Sequence, residues 1–411
     1  MNFLERQESS GGCTTPGRIL TSLDREPARG EPDPRLYPPG PSKTPRVWVL
    51  MGRKAGDNAQ LSALADGLGW AYEVKRIVHR RSELVTNLLF DATLLGRVAA
   101  RSSTLGPPWP DLVLSSGRRS EPIARWIRRH ADRPVKLVHV GRPWRGVQSF
   151  DLVVVTPQYP IAAREDVLRN PLPMHGVTQA RLAAAANQWR SRLVHLPRPW
   201  ITLLVGGSSE LFTLDAKTAA RLAREASALA RAAGGSLLVT TSARTPAGAA
   251  DALFAGIEVP AERFRWNPDA PENPYWGYLA LADAFVVTGD SISMLAEACA
   301  VGKPVHIFAP GRGSRRGSAD FAAAVRRRFQ LFGLARLRRD LRRIHDELVK
   351  LGSATFLGDG FAGGPPPPRD HVPETAARVR QLFIDPAPCE PLGGRREPLA
   401  RDYDQGSVSG A

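Results

Sequence analysis

Short, continuous apolar runs alternate along this chain with segments whose apolar residues recur every three to four positions. Val47–Met51 is the first such run, and a polar loop at 52–58 follows it. Residues 60–68 then place Leu61, Leu64, Ala65 and Leu68 on one helical face. The same pattern predicts strands at 73–78, 112–115, 136–140 and 151–155. It also predicts a helix at 121–130 whose apolar residues are Ile123, Trp126 and Ile127. Strands this short, separated by helices, indicate a parallel α/β sheet.

A second series begins after Leu196-Pro197-Arg198-Pro199. It predicts strands at 200–205, 236–240, 284–288 and 303–308, and helices at 215–233, 246–254 and 291–301. Gly234-Gly235 and Gly302 stand where helix C-caps are expected. The reading is therefore α/β with two Rossmann-like domains, at 45–194 and 195–345, joined by a Pro-rich hinge. A linker and a returning helix (374–383) occupy 346–385. Parallel sheets hold ligands at the carboxyl ends of their strands, so two facing sheets define a central cleft. Residues 1–44, with Pro32, Pro34, Pro38, Pro39 and Pro41, have no apolar period and read as a disordered leader; 386–411 read as a tail of the same kind.

Composition narrows the class. The chain has 411 residues, enough for two ordinary domains with their own cores. Three scattered cysteines, Cys13, Cys299 and Cys389, make neither a disulfide framework nor a Cys/His zinc site, which fits a reducing cytoplasm. No apolar stretch reaches the roughly 18 residues of a spanning helix, and no secretory apolar core opens the chain.

The net charge is +16. Between Arg312 and Arg343, eleven arginines face only Asp320 and Asp340. Such a concentration attracts phosphate in some form, and a coding bias toward arginine is the plain alternative. Two basic and apolar stretches, 75–101 and 326–344, are candidates for lying on an anionic membrane surface. No nucleic-acid module is recognisable, and no metal site or cofactor is expected.

Candidate chemistry sits at the strand ends. After the strand 284–288 come Gly289, Asp290 and Ser291, and a helix starts at once with Ser293 in its first turn. Free N–H groups, the helix dipole and hydroxyls there form a phosphate cradle, although Asp290 and Ser291 would cap a helix in any case. Glu297 follows about one and a half turns later, where a carboxylate can accept from sugar hydroxyls. Gly206, Gly207 and Ser208 after the strand 200–205 supply a close-approach loop. Thr240, Ser242 and Arg244 supply hydroxyls and a guanidinium suited to a diphosphate. His139, at the end of the strand 136–140, and Asp57 are rival candidates for a general base.

Other motifs fail on their letters. Gly289-Asp290-Ser291 resembles an esterase nucleophile block but has no later Asp-x-x-His. Gly302-Lys303 is followed by Pro304, so it is not a Walker loop. Gly311-x-Gly313 lacks the third glycine of the dinucleotide fingerprint.

Longer runs carry a more specific resemblance. They are Gly52-Arg53-Lys54-Ala55-Gly56-Asp57-Asn58-Ala59-Gln60, Leu114-Ser115-Ser116-Gly117-Arg118-Arg119, Val205-Gly206-Gly207-Ser208, Thr240-Thr241-Ser242-Ala243-Arg244-Thr245-Pro246 and Asn273-Pro274-Tyr275. Leu281-Ala282-Asp283, Val286-Val287-Thr288, Asp290-Ser291-Ile292-Ser293-Met294, Glu297-Ala298-Cys299 and Gly302-Lys303-Pro304-Val305 complete the set. Together, over about 45–383, the chain resembles the mitochondrial-fission ("elongated mitochondria") family.

The resemblance implies a GT-B-like fold and a metal-independent glycosyltransferase that takes a nucleoside-diphosphate sugar. The nucleotide side would comprise Gly206, Gly207, Ser208, Thr240, Ser242, Arg244, Asn273, Gly289, Asp290, Ser291, Ser293 and Glu297, with Glu297 and Gly302 at the spacing of a ribose-binding pair. The acceptor side, for an acceptor that is unknown and could be lipid-linked, would comprise Gly52, Arg53, Gly56, Asn58, Gln60, Ser116, Gly117 and Arg118. The plant member is understood as an adaptor for fission machinery, so a non-catalytic adaptor that keeps the fold is the alternative.

Overall fold

The computed structural model describes residues 44–80, 92–209, 212–309, 340–359 and 370–384, all within one compact unit, residues 41–411. The expected leader and tail, and residues 310–339 of the arginine-rich stretch, lie outside the described residues.

The first sheet contains β1 (Val47–Met51), β2 (Tyr72–Arg76), β3 (Leu112–Ser116), β4 (Lys136–Val140), β5 (Leu152–Val155) and β6 (Val167–Arg169). Its order is β2-β1-β3-β4-β5-β6, parallel throughout. Successive residues of each strand point to opposite faces, and both faces are covered. Val49, Leu114 and Val138 pack under Leu61, Leu64 and Leu68 of α1 (Ala55–Leu68). Leu50, Val113 and Leu137 pack under Ile123 and Ile127 of α2 (Gly117–His130).

The second sheet contains β7 (Trp200–Leu204), β8 (Ser236–Thr240), β9 (Ala261–Phe264), β10 (Ala284–Thr288), β11 (Val305–Phe308) and β12 (Thr355–Phe356). Its order is β12-β11-β10-β7-β8-β9, again all parallel. Around it run α3 (Gln179–Leu193), α4 (Ala216–Ala232), α5 (Ala247–Ala255), α6 (Tyr275–Leu281), α7 (Ile292–Ala300) and α8 (Arg342–Lys350). Two six-stranded Rossmann-like sheets in one chain make the fold GT-B-like, as the resemblance implied.

Two segments tie the two cores together. Met174 belongs to the first core and Leu172 to the second. The next helix, α3, packs on α6, with Trp189 edge-on to Tyr278 and no room for a side chain at Gly277 against Trp189. On the return, α9 (Val372–Gln381) places Val372, Ala376 and Val379 in the core of α1. Asn170 Nδ2 donates to Thr375 Oγ1 at 3.0 Å, and Arg380 donates to the carbonyls of Gly67 and Leu68 that end α1.

The helix starts differ from the sequence expectation in a way that affects the site. Residues 55–58, read as loop, are the first turn of α1, and Gly117 to Ser120 are the first turn of α2. Gly56, Asp57 and Asn58 are poor helix formers, and tertiary clamps overrule them. The Asn58 side chain accepts from Gly52 N–H at 3.0 Å and donates to Gly52 O at 2.9 Å, fixing the turn out of β1. In the part of 326–344 that is described, Leu341 and Ile344 face the second core while Arg342 and Arg343 are exposed. Among the described residues no helix is long and apolar enough to cross a membrane, and no group of three metal-ligating side chains gathers.

Candidate functional site

Strands β10, β7 and β8 are neighbours, so the loops at their carboxyl ends converge. Gly206 N–H donates to Thr288 Oγ1 at 2.7 Å and Gly207 N–H to Asp290 Oδ2 at 2.8 Å. Arg244 Nη2 lies 2.8 Å from the same Asp290 oxygen. Ser242 Oγ donates to Gly206 O at 2.9 Å, with Thr245 Oγ1 on the same carbonyl.

Both glycines are required by close approach. A β-carbon on Gly206 would stand 2.5 Å from Asp290 Oδ2, and one on Gly207 would stand 2.7 Å from the carbonyl carbon of Arg244. The expectation that these N–H groups face a bound anion is therefore corrected. They are satisfied from within, Gly206 N–H by the Thr288 hydroxyl and Gly207 N–H by the buried carboxylate of Asp290. Ser208 and Thr240 are likewise engaged, Ser208 Oγ accepting from Leu214 N–H at 3.0 Å and Thr240 Oγ1 donating to Thr241 O at 3.3 Å. His345 of α8 sits behind the turn, its Nε2 2.7 Å from Gly289 O.

The first turn of α7 remains available. Its Ncap is Ser291, whose carbonyl accepts from Leu295 N–H. The N–H groups of Ile292, Ser293 and Met294 therefore have no acceptor within the helix. Glu297, expected at an open cleft, is instead only 7% exposed. Tyr275 OH donates to its Oε2. Burial pushes the carboxyl up to about 7, against the pull of that hydrogen bond and of Arg181. Burial and the neighbouring Glu297 also raise the Tyr275 hydroxyl well above its usual value. Arg181 stands 3.6 Å over the ring of Trp276. Asn273 Oδ1 accepts from Tyr275 N–H at 3.0 Å and so starts α6.

On the first sheet, β1, β3 and β4 are adjacent and their ends carry the other candidates. Asp57, in the first turn of α1, lies 3.5 Å from Lys54 Nζ and 3.3 Å from where a β-carbon on Gly117 would be. Gly117 has φ +70°, a conformation glycine adopts at little cost. Gln60 Nε2 reaches Gly56 O at 3.4 Å, and Ser116 Oγ donates to Val140 O at 2.8 Å. Arg118 is exposed, 5.3 Å over the Trp144 ring.

Glu121 was not anticipated as a polar anchor. Its buried carboxylate pairs with Arg125 and accepts from the N–H groups of Trp144 and Arg145. His139 does not face the cleft as expected. It points into the layer under α2, fully buried against Phe150, with Nδ1 2.9 Å from Ser115 Oγ. Burial pulls it down to about 4. With no exposed surface it cannot meet a substrate, whereas the Asp57 carboxylate at this edge is one-third exposed.

The two edges meet at the starts of α1 and α7. A β-carbon on Gly56 would overlap Ser293 Oγ, so the start of α1 touches the start of α7 across the cleft. A hollow of about 580 Å³ lined in part by Arg80, Arg97, Trp126 and His130 involves none of these residues.

The curated relative "Mitochondrial fission protein ELM1" of Arabidopsis thaliana is 31% identical over 242 residues, 53% of this chain. The chain spans only 56% of that relative's length. An uncharacterized protein of Rickettsia prowazekii is 20% identical over 64% of this chain and 83% of its own. Among solved structures, the UDP-GlcNAc 2-epimerase of Methanocaldococcus jannaschii, in complex with UDP-GlcNAc and UDP, aligns over 82% of this chain and 99% of its own. The TM-score is 0.47 and the identity 13%. The family described as "Mitochondrial fission ELM1" matches residues 55–383, and the chain belongs to that family.

Proposed function

We propose that this protein is a metal-independent glycosyltransferase that moves a sugar from a nucleoside-diphosphate donor to an acceptor held at the first sheet. The observation that carries the reading is the approach of Gly56 to Ser293. It brings the open first turn of α7 and the carboxylate of Asp57 to the two sides of one cleft. The donor phosphates would lie on the N–H groups of Ile292 and Ser293, where the helix dipole favours negative charge. Glu297, with Oε2 taken by Tyr275, would offer Oε1 to a ribose hydroxyl.

In the transfer, the acceptor oxygen forms a bond to the anomeric carbon while its proton passes to Asp57. The bond from that carbon to the diphosphate breaks, and the nucleoside diphosphate leaves with the electron pair. Helix N–H groups stabilise the charge that develops on it. We place this activity in the cytoplasm, with the inner membrane surface as a place of work.

A specific observation favours the second reading, a non-catalytic adaptor. Asp290 already fills the anion position between Gly207 and Arg244, which is what a nucleotide site would look like once its ligand had been dispensed with. Thermal shift with UDP-, GDP-, ADP- and CMP-sugars, with and without EDTA, separates the two. The transferase reading expects one nucleotide class to raise the melting temperature regardless of EDTA. Stabilisation by none of them leaves the adaptor.

A further inference from the structure

The carboxyl edge of the first sheet carries a charge that the proposed chemistry does not use. The turns after β1, β3 and β4, three adjacent strands, contribute Arg53, Lys54, Arg118, Arg119, Arg142 and Arg145, all exposed or half-buried. Against these six cations the same turns present one accessible carboxylate, Asp57, beside Lys54. The other acid there, Glu121, is buried and taken by Arg125 and two backbone N–H groups.

Several arginines elsewhere among the described residues have an acid partner. Arg128 pairs with Asp151, Arg192 with Glu272, Arg198 with Asp283 and Arg231 with Glu258. Arg53 and Arg118 pair with no carboxylate among the described residues. Arg118 is held over the Trp144 ring, an arrangement that orients the guanidinium while leaving its N–H fork for a ligand.

Like charges gathered on three neighbouring turns repel one another. The strands that carry these turns are spaced by about 5 Å, and charges on neighbouring turns act on one another wherever they lie within the roughly 8 Å screening length at physiological salt. A ligand with several anionic oxygens relieves that repulsion, and planar guanidinium groups bind phosphoryl oxygens two at a time. A single carboxylate would leave most of the charge unanswered.

We infer that the carboxyl edge of the first sheet is a phosphoryl-binding surface centred on Arg53 and Arg118, and that the acceptor it takes is phosphate-bearing. The assignment of an acceptor rests on the transferase reading; the phosphoryl site itself does not. Inorganic pyrophosphate and a lipid phosphate headgroup offer the same chemistry.

The test is calorimetric titration of pyrophosphate, at low salt, into the full-length protein, Arg53→Gln/Arg118→Gln, Arg244→Gln and, as an exposed control on α4, Arg224→Gln. Melting temperatures are recorded for each. Losing two charge-assisted contacts should lower affinity by about tenfold or more in the double variant. Arg224→Gln should bind as wild type does, and Arg244→Gln reports whether pyrophosphate has gone to the second edge instead. A second arm measures co-sedimentation with vesicles containing phosphatidic acid and with neutral vesicles. Charge-selective binding lost in the double variant identifies a headgroup as the source, and pyrophosphate binding alone identifies a non-membrane phosphate.

The inference is overturned if wild type does not bind pyrophosphate, if the double variant binds it equally well, or if Arg244→Gln alone abolishes binding. Pyrophosphate binding that depends on Arg53 and Arg118 in a protein no nucleotide stabilises would sink the transferase reading and leave this site standing. Nucleotide binding with pyrophosphate indifferent to both arginines would do the reverse.

Discussion

The carboxyl edges of the two sheets are built from the same parts, a strand, a glycine-bearing turn and a helix, yet they handle charge in opposite ways. At the second edge, Asp290 answers Arg244 and Gly207 N–H, and Thr288 answers Gly206 N–H. Its polar groups are matched to one another, apart from the first turn of α7 and the buried hydroxyl of Ser209. At the first edge, Asn58 and Glu121 fix the backbone of the turns, while Arg53 and Arg118 are held out without an acid partner. One edge is closed by its own carboxylate and the other leaves two guanidinium groups without one. Similar sequence signals, a Gly-rich turn before a helix, thus end in different electrostatics, and the deciding residue is an acid contributed by a neighbouring strand.

The largest effect is expected from opening the closed edge. Asp290→Ala leaves Gly207 N–H buried without an acceptor and removes the partner of Arg244. An unsatisfied buried donor together with a lost charge-assisted contact costs about 3 kcal/mol. Urea denaturation measures it. A change under about 0.5 kcal/mol would mean that Asp290 does not hold this edge shut.

Glu297 gives the next largest effect, and its sign depends on pH. Its folded value of about 7 lies above the ordinary 4.5, so the fold prefers the protonated carboxyl. The stability it contributes is complete below pH 4.5 and falls as pH rises to about 7. Glu297→Gln, which keeps an oxygen for Tyr275, should therefore be more stable than wild type at pH 8 by about 2–3 kcal/mol and no different at pH 4.5. His139 runs the other way. Its folded value of about 4 lies below 6.5, so its contribution is present above pH 6.5 and is lost as pH falls toward 4. Between pH 6.5 and 4.5 the two slopes oppose each other in wild type, and the Gln variant should expose the histidine slope unopposed, with His175, His306 and His345, also lowered by burial, adding to that of His139. Parallel pH profiles for the two proteins would remove Glu297 from this account.

Contact between the edges should cost less to disturb. Gly56→Ala pushes a methyl group into Ser293 Oγ, and because that oxygen terminates a side chain that can turn, about 1 kcal/mol is expected, at the low end for overpacking. Ser293→Gly should relieve it. Additive effects of the two substitutions in a double-mutant cycle would show that the edges do not touch there.

Much of this fold was legible in the letters because apolar runs bounded by Gly, Pro and polar residues mark buried parallel strands. Val47–Met51, Lys136–Val140, Ser236–Thr240 and Ala284–Thr288 lie where the pattern places them. The edge strands β6, β9 and β12 were not anticipated, since residues such as Ala261-Glu262-Arg263-Phe264 carry too little apolar character to stand out. Nor was α3, whose run of small residues has few periodic apolar positions. At the site, the right residues were gathered but not their partners. Nothing in Gly206-Gly207 or in Gly289-Asp290-Ser291 announces that β7 and β10 are neighbours, and it is that adjacency which turns a phosphate cradle into one filled by Asp290. His139 followed the rule that strand ends face clefts, but alternation along β4 put it on the side covered by α2.

The smallest change in stability, and the one that bears most directly on chemistry, is expected for Asp57→Asn. Asp57 is one-third exposed and Lys54 nearly three-quarters, and an ion pair so open to solvent is worth about 0–1 kcal/mol. Asparagine preserves the shape and still accepts a hydrogen bond, so the first turn of α1 should stand and melting should hardly move. What asparagine cannot do is take the acceptor's proton. If Asp57 is the base, turnover of a nucleotide sugar that stabilises wild type should fall by about 100-fold or more, with nucleotide affinity unchanged because that ligand sits on the other edge. Equal loss of nucleotide affinity would place Asp57 in a structural role across the Gly56–Ser293 contact. Full turnover in the variant would send the search for a base away from the first edge altogether.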